Sequence, residues 1–215
     1  MNSYNKKAKV KKTIFKDAMV LLVITLLAGF ALGIVYEITQ PVIEERKLGQ
    51  KKEVYQAVFK DAEVFANDEE LDSKAETATE DLFESKGLAN ITLNEVLRAQ
   101  DAKGNTLGHV VSISTEEGFN GTITISLGYS LDGIVQGLDF LELNETVGYG
   151  QNAASPEFIK QFIGKQTTEF VPTKSGASLE NEVDALSGAT ITTNAVTDVI
   201  NAGLLFLNEE ALAND

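Results

Sequence analysis

Apolar and polar positions divide the chain into four regimes. Ala18 to Tyr36 is a run of nineteen residues without a charge, rich in Leu, Val, Ile, Ala and Gly. As a helix it is long enough to cross the hydrocarbon core of a bilayer. Residues 38–60 carry Val42, Ile43, Leu48, Val54, Tyr55, Val58 and Phe59 at irregular spacing, and Pro41 predicts a new helix starting at its first turn. Residues 61–94 are acidic, with only a few large apolar side chains (Val64, Phe65, Leu71, Leu82, Phe83, Leu88). They predict an irregular excursion with short helices at most, its carboxylates forming a solvated face.

From Glu95 the period becomes two. Val96–Gln100, Leu107–Thr115, Ile123–Leu127 and Ile134–Leu143 predict strands. The turns between them are Asp101-Ala102-Lys103-Gly104, Gly118-Phe119-Asn120-Gly121 and Asp132-Gly133, the last a strong hairpin signal. Ser155-Pro156-Glu157 predicts a helix start, with Ser155 as N-cap and Pro156 in the first turn. Gly164 ends that helix, and Phe170-Val171-Pro172 is a short extended piece. Val196, Val199, Ile200, Gly203, Leu204 and Leu207 then recur at helical spacing. The fold class is therefore α+β: an N-terminal transmembrane helix, then a domain with an antiparallel sheet and flanking helices. The expected divisions are a basic N-terminus (1–16), the membrane helix (17–37), a stalk helix (38–60), an acidic connection (61–94) and the folded domain (95–212).

Charge orients this plan. Six Lys and no acid lie within residues 1–16, leaving twelve basic against 32 acidic side chains beyond. The positive-inside rule puts the N-terminus in the cytoplasm, on a single-pass anchor in the cell membrane, with the domain outside. A cleaved signal peptide is the alternative, with Ala31-Leu32-Gly33 as its small-x-small site. The apolar run continues past that site to Tyr36, which favours a retained anchor. So acidic a domain repels nucleic-acid phosphate. With no Cys and one His, His109 within a predicted strand, neither Cys-ligated nor His-rich metal sites can form, and no metal is expected.

The candidate chemistry sits just before the last helix, in Asp184-Ala185-Leu186-Ser187-Gly188-Ala189-Thr190-Ile191-Thr192-Thr193. Small residues lead into a helix N-terminus for which Thr192 or Thr193 is the natural N-cap. Such an end presents unpaired N–H groups and the positive end of the helix dipole, which favours a phosphate. Gly188 and Ala189 leave the backbone open, and Thr190 adds a hydroxyl. Taken alone, a loop of this kind more often starts a helix and does nothing else. A second loop, Glu145-Thr146-Val147-Gly148-Tyr149-Gly150, has the glycines of a segment passing close to a ligand or another backbone. Taken alone, it too reads as a plain connection.

Both loops resemble the FMN-binding domain family. Asp184 to Thr190 matches every fixed position of its flavinylation motif, Asp-x-x-Ser/Thr-Gly-Ala-Thr. The resemblance implies FMN joined to Thr190 through a phosphoester by a dedicated flavin transferase. Asp184, Ser187, Gly188, Ala189 and Thr193 would form the surrounding cofactor site. Where the family has His-x-Glu-Thr-Pro-Gly-Leu-Gly lining the flavin, this chain keeps Glu145, Thr146, Gly148 and Gly150. It has Leu143, Val147 and Tyr149 in place of the His, Pro and Leu. Gly118-Phe119-x-Gly121-x-Ile123, Asp132-Gly133-x-Val135 and the anchor followed by Thr39-Gln40-Pro41 extend the resemblance.

The compact spacing looks most like the G subunits of Rnf-type ion-translocating ferredoxin:NAD oxidoreductases. This implies a redox subunit, an electron carrier with no catalytic residues of its own. It would work among membrane, flavin and iron–sulfur subunits that couple electron flow to Na⁺ or H⁺ transport. Three alternatives stay open: a sodium-translocating NADH:quinone reductase subunit, an anchored module binding a phosphorylated ligand non-covalently, and a purely structural subunit.

Overall fold

The computed structural model describes residues 2–88 and 90–211. Residue 212, which closes the expected domain, and the first residue of the expected N-terminal segment lie outside the described residues. The chain forms two compact units that divide between Gly49 and Gln50.

The first helix, α1, runs Asn2–Val58 without interruption. Within it Phe15–Gln40, 26 residues long, is apolar enough to cross a membrane, and none of that stretch is buried. At about 1.5 Å per residue it reaches roughly 39 Å, more than a hydrocarbon core of about 30 Å. A soluble core helix would bury such side chains, yet Leu21, Phe30 and Leu32 are exposed. The break expected at Pro41 does not occur. Proline withholds one backbone N–H, and several turns on either side carry the helix across that single loss. Just before it, the Thr39 hydroxyl donates back to the carbonyls of Val35 (2.8 Å) and Tyr36 (3.2 Å).

In the second unit, five strands form an antiparallel meander in chain order: β1 (Val64–Asn67), β2 (Ile91–Gln100), β3 (Thr106–Thr115), β4 (Ile123–Ser130) and β5 (Val135–Leu143). The period-two pattern and its turns predict β2–β5. The acidic connection is more ordered than expected. It supplies the edge strand β1, paired to β2 from Val64↔Gln100 to Asn67↔Leu97, and the helix α2 (Glu69–Ser85). Its acids are a helix start: the Asp68 carboxylate accepts the Leu71 N–H at 3.3 Å, and Glu69, Glu70 and Asp72 fill the first turn, where the dipole favours them. Burial works against the charge on Asp68, but its bonds to Arg98 and to the Leu71 N–H outweigh this and hold the carboxyl below its usual range. His109 is buried, its Nε2 3.8 Å from Asp68 Oδ2.

The sheet is covered on both faces. On one, Tyr55, Val58, Phe59 and Ala62 pack with Leu97, Ala99 and Val110. Tyr55 donates to Glu95 Oε2 at 2.5 Å and Lys51 reaches the same oxygen at 3.0 Å. Burial, then Glu95, pushes the Tyr55 hydroxyl well above its ordinary pKa, so it stays a donor. The other face carries the main core, where Val111, Ile113, Ile125 and Leu127 meet Val196, Val199, Ile200 and Leu204 of the final helix, α4 (Thr190–Phe206). Gly203 makes this approach possible, since a Cβ there would collide with Ile113 and press on Leu127 at 3.1 Å. Between β5 and α4 come a 3₁₀ turn (Gly150–Ala154), α3 (Pro156–Ile159) and the parallel pair β6 (Val171–Thr173) and β7 (Glu182–Asp184). Ser155 caps α3 as expected, its Oγ accepting the Phe158 N–H at 3.4 Å.

Candidate functional site

Two four-residue turns of the same design build the site. In Thr146-Val147-Gly148-Tyr149 the Tyr149 N–H donates to the Thr146 carbonyl at 3.1 Å. In Leu186-Ser187-Gly188-Ala189 the Ala189 N–H donates to the Leu186 carbonyl, also at 3.1 Å. The third residue of each is a glycine with positive φ, +81° at Gly148 and +73° at Gly188. That is the left-handed conformation for which such turns select glycine. Val147 takes the second place of its turn, where proline is favoured but not required, so the family's Pro is replaced without loss of the turn.

The second turn delivers the chain into α4, which begins at Thr190. This corrects the expected capping. The N-cap is Ala189, with φ −133° and ψ 49°, and no side chain caps the helix. Thr192 and Thr193 lie inside the first turn and are buried. Thr193 acts backwards instead: its Oγ1 accepts the Leu186 N–H at 3.1 Å and donates to the Ala189 carbonyl at 2.9 Å. It holds the turn that precedes Thr190. The N–H groups of the uncapped first turn, which no helix can satisfy internally, are left for water or a ligand.

The two turns come together at a cleft of about 500 Å³, within the usual range for small-molecule sites. Glu145, Thr146, Tyr149 and Gly150 line it from the first loop, residues 188–192 from the second, and Phe119 from the β3–β4 turn. Five of the nine expected site residues thus meet at one wall: Glu145, Thr146, Gly188, Ala189 and the half-buried Thr190. The other four do not line it. Gly148 shapes the first turn, and Thr193 braces the second from beneath. Ser187 is exposed. Asp184 ends β7, its Oδ1 accepting the Ala177 N–H at 2.6 Å. Phe119, Tyr149, Gly150, Ile191 and Thr192 line the cleft without having been singled out as site residues. Gly-Phe-x-Gly and Gly-Tyr-Gly are the local signals for the first three, while Ile191 and Thr192 lie within the Asp184–Thr193 stretch itself.

Glu145 is the unusual group. It is 5% exposed. Its Oε1 accepts the Phe119 N–H at 2.7 Å, while its Oε2 is buried and without a hydrogen-bond partner among the described residues. Beside it, Gly150 has no room for a side chain: a Cβ would lie 2.6 Å from Glu145 Oε2 and 2.7 Å from Thr192 Oγ1. At Gly188 a Cβ would approach the Tyr149 ring to 3.1 Å.

A glycine-built cleft ending at an uncapped helix start, with a threonine hydroxyl on its wall, suits a phosphorylated ligand. Residues 118–205, which include every lining residue, match the FMN-binding domain family. They form an FMN-binding domain. Along nearly its whole length the chain is also similar to a curated protein of Acetobacterium woodii, the G subunit of a Na⁺-translocating ferredoxin:NAD⁺ oxidoreductase complex. The two are 28% identical, over 90% of this chain and 91% of the relative. The G subunit of an ion-translocating oxidoreductase complex from Methanosarcina acetivorans is 28% identical over 93% of this chain and 97% of its own length. Its counterpart in a proton-translocating ferredoxin:NAD⁺ oxidoreductase complex from Clostridium ljungdahlii is 27% identical over 89% and 90%. Among solved structures, NqrC of Shewanella oneidensis is similar with a TM-score of 0.46 and 24% identity, over 56% of this chain and 61% of that one.

Proposed function

We propose that this chain is a membrane-anchored electron-transfer subunit of an Rnf-type ferredoxin:NAD oxidoreductase, carrying FMN bound covalently through a phosphoester on Thr190. The observation that carries the reading is the meeting of the two loops in an FMN-binding domain, in a chain whose G-subunit relatives match it over nine-tenths of its length. The residues suit the group. The first turn of α4 supplies N–H groups and a positive dipole end for the phosphate. Thr190 would supply the hydroxyl oxygen of the ester, giving up its proton as the transferase's flavin dinucleotide donor releases its nucleoside monophosphate, and Gly188 and Ala189 leave the hydroxyl's approach open. Thr146 faces the remainder of the cofactor, Glu145 lies buried at the same wall, and Thr193 and Gly148 serve the cofactor indirectly by fixing the two turns. Ser187 and Asp184 belong to the surface that the flavin transferase must recognise.

Bound FMN supplies the electron acceptance and donation, while the protein supplies attachment, orientation and the electrostatic environment. Other flavin and iron–sulfur subunits of the complex would pass electrons to and from it, coupled to Na⁺ or H⁺ movement by the whole assembly. The Lys-rich N-terminus favours the outer side of the membrane for the domain, where a tether keeps the cofactor from being lost. The test is to produce the full chain with a flavin transferase and run it on a denaturing gel. Fluorescence that stays on the band is expected. Flavin or another ligand that leaves on denaturation would favour a non-covalent module, and no flavin at all a structural subunit.

A further inference from the structure

Two large aromatic side chains stand at the cleft wall, Phe119 and Tyr149, with 67% and 56% of their surface exposed. A single exposed aromatic is ordinary on a protein surface. What sets Phe119 apart is how its backbone is held. It is the second residue of the turn Gly118–Gly121. Its N–H donates at 2.7 Å to a carboxylate oxygen of the buried Glu145. Gly118 before it cannot bear a side chain: a Cβ would collide with the Gly121 carbonyl and press on Glu145 Oε1 at 3.0 Å and Ile123 Cγ1 at 3.1 Å. Gly121 closes the turn with φ +136°.

A buried carboxylate with one oxygen unpartnered among the described residues is a costly anchor, because its charge loses hydration. An apolar residue at 145 would fill the same space without that cost. The carboxylate adds one capability, a strong charge-assisted acceptor for the Phe119 N–H. The turn fixed in this way offers one large side chain to the cleft, and it is aromatic.

We propose that Phe119 is the aromatic contact of the flavin ring in this cleft, and that Glu145 is the residue that positions it. This rests on the reading of the cleft as the site of FMN tethered at Thr190. A phosphoester fixes only the phosphate end of the cofactor. The planar ring lies at the far end of a flexible ribityl chain and needs a contact of its own. A phenyl ring meets such a surface offset or edge-on, with centroids roughly 4.5–7 Å apart.

The experiment uses the full chain, loaded by the transferase and kept in detergent. Covalent loading of each variant is first measured on a denaturing gel. Fluorescence anisotropy and visible circular dichroism of the flavin are then read on the native protein. Phe119→Ala should load fully, while its anisotropy falls towards that of a freely tethered ring and its visible dichroism is lost. Phe119→Tyr should keep both signals. Glu145→Gln, which retains an acceptor oxygen without its charge, should keep more of both signals than Glu145→Ala, which should lose them as Phe119→Ala does. If Glu145→Ala does not fold, the comparison of Phe119→Ala with Phe119→Tyr still decides the contact. A fully loaded Phe119→Ala protein with unchanged anisotropy and dichroism overturns the proposal. A Glu145→Ala protein that keeps both signals overturns the positioning role. A parent chain without covalent flavin overturns the reading of the site itself, a result the gel separates from the other two.

Discussion

Replacing Thr193 by Val removes one hydroxyl and keeps the branching and nearly the volume. Thr193 is completely buried, and its Oγ1 holds both the Leu186 N–H and the Ala189 carbonyl. The carbonyl keeps a partner, because the Thr193 backbone N–H also donates to it at 2.9 Å. The Leu186 N–H loses the acceptor described for it. A lost hydrogen bond costs about 1 kcal/mol and an unsatisfied buried donor about 1–3 kcal/mol. Because Leu186 is only half-buried, a total of about 2 kcal/mol is the working figure. For a domain of this size that lowers Tm by about 4–8 °C. The assay is thermal unfolding of the full chain in detergent, followed by circular dichroism, with Thr193→Ser as the variant that keeps the hydroxyl. Flavin loading of Thr193→Val should be slower, because the turn before Thr190 is loosened, but should remain on Thr190. A Thr193→Val protein as stable as the parent, with unchanged hydrogen exchange at Leu186, would refute the brace.

Gly188→Ala should load flavin poorly and lower Tm by a few degrees. It forces a left-handed residue, a cost of roughly 1–2 kcal/mol, and its Cβ lies 3.1 Å from the Tyr149 ring; loading at the parent's rate would show that the turn is not needed. Thr146→Ala, at the exposed wall of the cleft, should shift the flavin's potential or absorption while leaving attachment intact, and unchanged spectra and potential would reduce the loop to structure. Protease added to intact spheroplasts should remove the folded domain, since the Lys-rich end is expected inside; a domain protected until the membrane is opened would reverse the topology.

The parts of the fold with local causes were legible in the chain. Alternation and turn residues mark β2 to β5, and the spacing from Val196 to Leu207 marks α4. What escaped depends on partners distant in sequence. The four residues of β1 carry no alternation of their own and are strand because β2 offers them an edge. The acids around Asp68 read as solvated surface, yet they cap and open α2, with Arg98 thirty residues away completing the arrangement. Pro41 carries a real break signal that the turns around it override. At the site the motif marks a loop that lines the cleft, but the capping it suggests is not the one observed. The threonines after Thr190 look like caps, but the helix starts earlier and Thr193 turns back to hold the loop. The pairing of Glu145 with Phe119 spans 26 residues, and no local pattern announces it.

The central claim is that Thr190 carries the flavin. The direct measurement is peptide mass, with in-gel fluorescence, on the parent chain and on Thr190→Val, both made with the transferase present. The account predicts one parental peptide, containing Thr190, heavier by an FMN ester, and a folded Thr190→Val protein with neither the mass nor the fluorescence. Thr190→Ser, which keeps a hydroxyl, should recover part of the attachment. A folded Thr190→Val chain that still carries covalent FMN, on Thr192, Thr193 or elsewhere, would contradict it.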